Sequence, residues 1–530
     1  MSPKNVSTGR APAIPMSLCW SLAGILVVAV ALRLLTMMGS SVLANDEAAL
    51  AWNIEIRGFT GLLHPLEFSQ GAPIGFLMLA KGVYGLLGSS PAAYRTLPFL
   101  FGMGAVLGVG LLARKVVPPW VAIGAMALAA TSGAMVQYSA FFKQYAVDSA
   151  TCVALLLAMA AWADVRQPTH ASAVQWRFVA VTALLAPWFS HASAFVIAGA
   201  GGVVLAALLA RGRRDEAGKF ALILAAALLS FAVHYLAFAR HLNDSTFLRE
   251  FWRAQMMPDP VTSLGVAKWL TRSALEPGAI LIGSSVETTG GRAAGVAAFV
   301  LAAIGAHGVW RRHGALALML IAPAALALVA AGARMYPFSG RLLLFTMPPI
   351  IVLAAAGVAV LVRREKAAGA SLIIAAAAMA AVWFHPARGQ GERERLDQTC
   401  RELAPEVGPR DHVYVFYPNR VVCFYALVHA GVAPAQVTSG AGDSPGPFEA
   451  VHNLKKELDT LPTGEWDRAW VVLTLPRELD GRDEGDVVAA YFRTKCTNET
   501  VRTVGATRVF SFACRAPARL PAATALTDKP

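Results

Sequence analysis

The sequence predicts a polytopic α-helical membrane protein with about eleven transmembrane helices and a C-terminal soluble α/β domain. Three observations carry this. The 530-residue chain is 56% hydrophobic and only 15% charged, with mean hydropathy +0.53, whereas soluble domains carry roughly 25% charged residues; so apolar a chain needs a bilayer as part of its solvent. Apolar runs of spanning length recur up to His385, separated by short Arg and Lys clusters. Beyond His385 the composition becomes ordinary, with short strand-like runs between helix-like stretches. The net charge of +13 resides mostly in those inter-span clusters, as expected of cytoplasmic loops. No basic face interleaved with aromatics occurs, which argues against a nucleic-acid partner.

The first apolar run, 17–38, follows Lys4 and Arg10. It is too long for a signal peptide and lacks a small-residue cleavage site, so it reads as a span with a cytoplasmic N-terminus. Residues 39–72 are charged, Trp-bearing and broken by Gly58, Gly61 and Pro65. The apolar run 73–88 is too short to span, so 39–91 is expected to be an external loop with interfacial helices. Further spans are expected at 92–113, 119–138, 147–164, 177–190, 192–210, 219–238, 293–310, 315–332, 342–362 and 368–385. The cytoplasmic loops then hold Arg114 and Lys115, Arg166 and Arg177, Arg211 to Lys219, Arg311 and Arg312, and Arg363 to Lys366; the opposite short loops hold mainly Lys143, Arg334 and Arg341. That bias follows the positive-inside rule and predicts a multi-pass protein of a bacterial inner membrane. Residues 1–385 form the membrane domain and 386–530 a periplasmic or external one.

The C-terminal domain has strand-like runs at 412–417, 468–474 and 507–513 and helix-like stretches at 390–404 and 484–494. Cys400, Cys423, Cys496 and Cys514 all fall in it. An even count in an oxidising compartment predicts disulfides, most simply Cys400–Cys423 and Cys496–Cys514, which close short loops. Their spacings match no zinc-ligand pattern, and no P-loop, GxSxG, HExxH or internal repeat occurs.

Several charged residues could carry chemistry. Asp46 and Glu47 open the external loop in NDEAALAW. A carboxylate at the membrane boundary suits a general base or a metal ligand; on the local pattern alone, a solvated acidic pair at a helix N-terminus, favoured by the macrodipole, is the stronger reading. Asp148 lies beside Lys143, Gln144 and Tyr145, where it either acts on substrate, caps a helix or pairs with Lys143. Arg334 and Arg341, in RMYPFSGRLLLF, stand against the charge bias. Guanidinium forks there suit phosphate, with headgroup snorkelling as the alternative. Arg33 lies in the outer half of the first span and Arg95 at the start of the next; charges there need a partner, an acidic residue or a lipid phosphate.

In this order and spacing the residues resemble the GT-C superfamily of polyprenyl-phosphate-sugar glycosyltransferases, in its protein O-mannosyltransferase-like and aminoarabinose-transferase-like branch. The likeness is best over 20–165: Arg33, the Asp46–Glu47 pair, the Pro-started segment SQGAPIGFLMLAKGVYGLLG at 69–88, the run from Ser90 to Arg95, then Tyr145 and Asp148; the later YPFSGRLLLFTMPP segment continues it. It departs at Gly71-Ala72-Pro73, where many relatives have His-Pro-Pro or Lys-Pro, leaving His64 and Gln70 as nearby polar substitutes. The resemblance implies a sugar donor on a polyprenyl phosphate and a glycan, lipid or protein acceptor on the external side. It implies an inverting single displacement with Asp46 as general base, supported by Glu47 and Asp148. Lys143, Tyr145, Arg334, Arg341, Arg95 and Arg33 become donor-phosphate ligands, and a divalent metal (Mg or Mn) would sit on Glu47 or Asp148. Two other classes remain: a transporter or flippase of a lipid-linked sugar, which needs functional charges on both membrane sides, and a non-catalytic scaffold, in which the first-loop carboxylates are dispensable.

Overall fold

The computed structural model describes residues 16–163, 171–244, 246–383, 390–416, 420–440, 458–474, 478–479 and 482–515. Lys4, Arg10, Arg166, the last residues of the spans expected at 147–164 and 368–385, and residue 417 of the first expected strand lie outside them. The chain forms two compact units: Met1–Gly39, Ala72–Arg240 and Arg253–Pro386 in one, and Ser40–Gly71, His241–Trp252 and Ala387–Pro530 in the other. Residues 40–71, expected within the membrane domain, therefore group with the C-terminal residues.

The first unit is helical. Among the described residues eight helices are long and apolar enough to cross a bilayer, or nine if the pair Pro119–Thr131 and Gly133–Ser139, bent by 56°, is one span. One of the eight, Thr289–Gly332, has 44 residues with non-helical backbone at His313 (φ −148°, ψ 68°). Its two arms are the spans expected at 293–310 and 315–332. With the 17-residue helix Ala173–Phe189 the tally reaches the expected number of about eleven apolar helices. Ile74–Leu87 has 14 residues, about 21 Å at 1.5 Å per residue, short of a hydrocarbon core of roughly 30 Å. Large apolar side chains such as Val27, Leu111, Leu222 and Ile374 are exposed, the surface that lipid solvates.

Close packing inside this unit depends on small residues, since lipid gives helices no hydrophobic drive to associate. A Cβ on Gly305 would run into the Leu353 carbonyl, and one on Gly357 into the Leu301 carbonyl. Thus Thr289–Gly332 and the helix Met347–Leu361 meet backbone to backbone. The helix Ser263–Leu281 has no counterpart among the expected elements, because Lys268, Arg272 and Glu276 dilute its apolar signal.

The second unit contains a five-stranded sheet. β1 (His412–Val415), β2 (Val437–Ser439), β3 (Arg468–Thr474), the short pair β4 (Glu478–Leu479) and β5 (Arg482–Asp483), β6 (Thr497–Val504) and β7 (Thr507–Ala513) follow in the chain, and the large sheet is ordered β2-β1-β3-β7-β6. β2, β1 and β3 are parallel, while β7 runs antiparallel to both β3 and β6. Alternate residues face opposite sides, so Val413, Val415 and Val472 pack with Leu396, Val422 and Leu427, while Tyr414, Val471 and Leu473 pack with Val488 and Phe492. Both disulfides expected from sequence are present: Cys400–Cys423 joins the helices Gln390–Leu403 and Arg420–His429, and Cys496–Cys514 joins the start of β6 to the end of β7. Cys19 and Cys152 are free.

The helix Asn45–Ile56 belongs to this second unit and packs on Arg420–His429. Trp52 meets Phe424 edge to face at 5.1 Å, and Phe68 meets the same ring at 5.2 Å. The loop after the helix is tied to it: Trp52 Nε1 donates to Glu67 Oε2 at 2.8 Å, and the Glu67 N–H donates to Asn53 Oδ1 at 2.9 Å.

Candidate active site

The cations of the membrane unit divide by what they touch. Arg33 is fully buried. Its Nη1 donates to the carbonyls of Ala29 (3.2 Å) and Ala130 (2.9 Å), its Nη2 to Ala129 (3.4 Å), and its Nε to Ser139 Oγ (3.2 Å). Ala129 and Ala130 end the helix Pro119–Thr131, whose last carbonyls lose their partners at the Ser132 break. A guanidinium satisfies them and meets the negative end of the helix dipole. Buried Arg95 likewise donates through Nη1 to the Met37 carbonyl, 3.2 Å away, at the end of the helix Met16–Met38. Arg334, at φ 58°, donates to the carbonyls of Met257 (3.2 Å) and Pro258 (3.0 Å) and to Asp259 Oδ2 (3.0 Å). These three arginines hold backbone.

A second group gathers at the start of the helix Tyr145–Ala163. Phe142, packed between Phe76 (6.0 Å) and Tyr94 (4.9 Å), anchors the turn that carries buried Lys143. The Arg341 guanidinium lies over the Tyr145 ring at 5.6 Å, a cation–π contact. Ser149 Oγ donates to the Leu344 carbonyl at 2.6 Å, pinning the segment Gly340–Thr346 to this helix. Gln144 Oε1 and Asp148 Oδ1 are buried with no hydrogen-bond partner among the described residues. Four residues apart, they occupy one helix face.

Three residues of this group escape a motif reading. Glu276 is buried, and its Oε1 accepts from Ser339 Oγ (2.9 Å) and from the Gly340 N–H (3.0 Å). Gly340 has φ 52°, a conformation glycine adopts without steric penalty, and it aims the chain into the Arg341 turn. The Tyr336 hydroxyl donates to the Leu342 carbonyl at 2.8 Å. Burial first, then the charges of Asp148 and Tyr145, push its phenol well above the usual tyrosine range, so it remains a donor. Nothing in sequence ties Glu276, Tyr336 or Ser149 to Arg341.

In the second unit Asp46 lies in the first turn of Asn45–Ile56 and is part-exposed. Glu47 is buried, and its Oε2 accepts the Ala44 N–H at 2.9 Å. It caps its own helix. His64 is exposed, and Gln70 Nε2 donates to the Phe68 carbonyl at 3.0 Å. As for the expected metal, no group of three or more His, Cys, Asp or Glu side chains suited to an ion occurs among the described residues. Glu47 Oε2 is engaged in that cap.

No family model matches the sequence, and no curated protein matches it. Solved structures do. ArnT from Cupriavidus metallidurans bound to undecaprenyl phosphate matches with TM-score 0.59 and 13% identity, over 95% of this chain and 99% of that chain. The archaeal oligosaccharyltransferase AglB from Archaeoglobus fulgidus, in complex with an inhibitory peptide and a dolichol-phosphate, matches with TM-score 0.50 and 13% identity, over 96% of this chain and 75% of that chain. Identity this low speaks for fold alone. The chain shares its fold with these two proteins.

Proposed function

We propose that the protein is an integral-membrane glycosyltransferase that moves a sugar from a polyprenyl-phosphate donor to an acceptor on the external face of a bacterial inner membrane. The fold match to ArnT across nearly the full length of both chains carries this reading. Arg341 and Lys143 bind the donor phosphate and stabilise the charge that develops on it as it leaves. Tyr145 seats Arg341. Asp148 and Gln144 offer their buried acceptor oxygens to sugar hydroxyls. Asp46 takes the proton from the acceptor hydroxyl as the C–O bond to phosphate breaks, and the single displacement inverts the anomeric centre. Arg33, Arg95 and Arg334 act on the fold, and no step is assigned to a metal.

The test is transfer of labelled sugar from a polyprenyl-phosphate donor by the purified protein in detergent. Covalent transfer without a sealed membrane excludes the transporter reading. Asp46→Asn keeps shape and removes the proton acceptor, and turnover should fall about 10²–10⁴-fold. If the variant keeps more than about a tenth of wild-type turnover, Asp46 is not the base.

A further inference from the structure

The residue before the proposed base, Asn45, is half-buried. Asn45 Oδ1 accepts the Val421 N–H at 2.9 Å, near the start of the helix Arg420–His429. The first N–H groups of a helix lack internal partners, so this bond caps one helix with the first residue of another. At its other end the first-loop helix is held again: Tyr425 Oη donates to Glu55 Oε1 at 2.5 Å, and His429 Nε2 lies 3.1 Å from Glu55 Oε2. Between these ends Trp52 sits edge-on against Phe424. Glu55 lies ten residues beyond Asn45, about 15 Å along a helix. Held at both ends, the helix cannot roll about its axis, and a roll is the motion that would swing Asp46 away. The receiving helix is itself joined through Cys400–Cys423 to Gln390–Leu403.

We infer that Asn45 is a positioning residue for Asp46, and that the C-terminal domain is the fixture against which it does so. The inference rests on Asp46 being the base. A neutral acceptor suits position 45 because Asp46 and Glu47 follow it directly. A third carboxylate in one turn would hinder ionisation of Asp46 through like-charge repulsion.

Three variants of the full chain test this by sugar transfer from a polyprenyl-phosphate donor, with donor KM and kcat measured separately across pH. Asn45→Ala should lower kcat on the order of 10-fold, since small misplacements of a reacting group are costly, and leave the donor KM within about a factor of two. Asn45→Asp keeps the bond to Val421, so its turnover at alkaline pH should match wild type, with the acid limb of its profile moved to higher pH. Asn45→Ala added to Asp46→Asn should lose nothing further. Wild-type kcat in Asn45→Ala, an additive loss in the double variant, or a wild-type pH profile in Asn45→Asp would each overturn the inference. If Asn45→Ala does not fold, the Asn45→Asp profile decides. Undiminished turnover in Asp46→Asn would sink the base reading instead, a result read independently of Asn45.

Discussion

In the membrane unit, buried Arg33 and Arg95 donate to carbonyls at the ends of helices, whereas in the soluble unit Arg493, Arg502 and Arg508 pair with Glu499, Glu406 and Asp483 near the surface. The difference follows from the surrounding medium. Water screens the soluble pairs, which contribute roughly 0–1 kcal/mol each. In an apolar interior an unmet carbonyl costs about 1–3 kcal/mol, and a guanidinium can meet several at once. An arginine inside a span is therefore as readily a repair of broken backbone as a ligand for substrate. What separates Arg341 from Arg33 is its seat on an aromatic ring beside buried acceptors.

The contrast can be broken most sharply at Arg33. Arg33→Ala should destabilise the membrane unit by about 3 kcal/mol or more, seen as a lower thermal midpoint in detergent. Molecules that remain folded should bind undecaprenyl phosphate as wild type does, and an unchanged midpoint would show that the carbonyls find other partners. In the soluble unit the comparable constraint is covalent. Cys400 and Cys423 are 23 residues apart, and opening that loop by Cys423→Ser should lower the unit's stability by about 3 kcal/mol, measured by denaturant unfolding. Arg341→Ala should leave the midpoint near wild type and weaken undecaprenyl phosphate binding about tenfold, with Lys a poor replacement if contact is bidentate. Equal affinity would remove Arg341 from the phosphate site.

The smallest effect concerns His429. Its hydrogen bond to Glu55 raises its pKa above the ordinary imidazole value, with the Glu55 charge and the Tyr425 carbonyl adding to it, and with burial and Arg401 opposing. A raised folded-state pKa means the contribution is fully present below about pH 6.5, the unfolded value, and is lost as pH rises through the higher folded one. The stability difference between wild type and His429→Asn should shrink from about pH 5.5 to pH 8.5. A difference that grew with pH would reverse the assignment.

Much of this architecture was legible because its signals are one-dimensional. Spanning runs, Arg-rich loops and an even set of cysteines on one side of His385 need no knowledge of contacts, and both disulfides joined the cysteines that close the shortest loops. Partners were not legible. Sequence locates the charges of Arg33, Arg95 and Arg334 without the carbonyls they meet, and the Ser132 break that leaves Ala129 and Ala130 in need of Arg33 has no proline to announce it. The helix Ser263–Leu281 was hidden by the very charge, Glu276, that holds the Arg341 turn. The grouping of residues 40–71 with the C-terminal domain depends on Trp52, Asn45 and Glu55 meeting residues more than 350 positions away.

Backbone contact at Gly305 and Gly357 also limits how this protein can move. Leu301, Gly305 and Val309 recur every four residues on one helix, as Leu353, Gly357 and Leu361 do on the other. A slip of one turn, about 5.4 Å, would drive a leucine or valine into a carbonyl at the crossing. The two helices form a ratchet with its pawl engaged: they can tilt together, but they cannot change register. Any change of shape in this unit must be borne elsewhere than at this crossing.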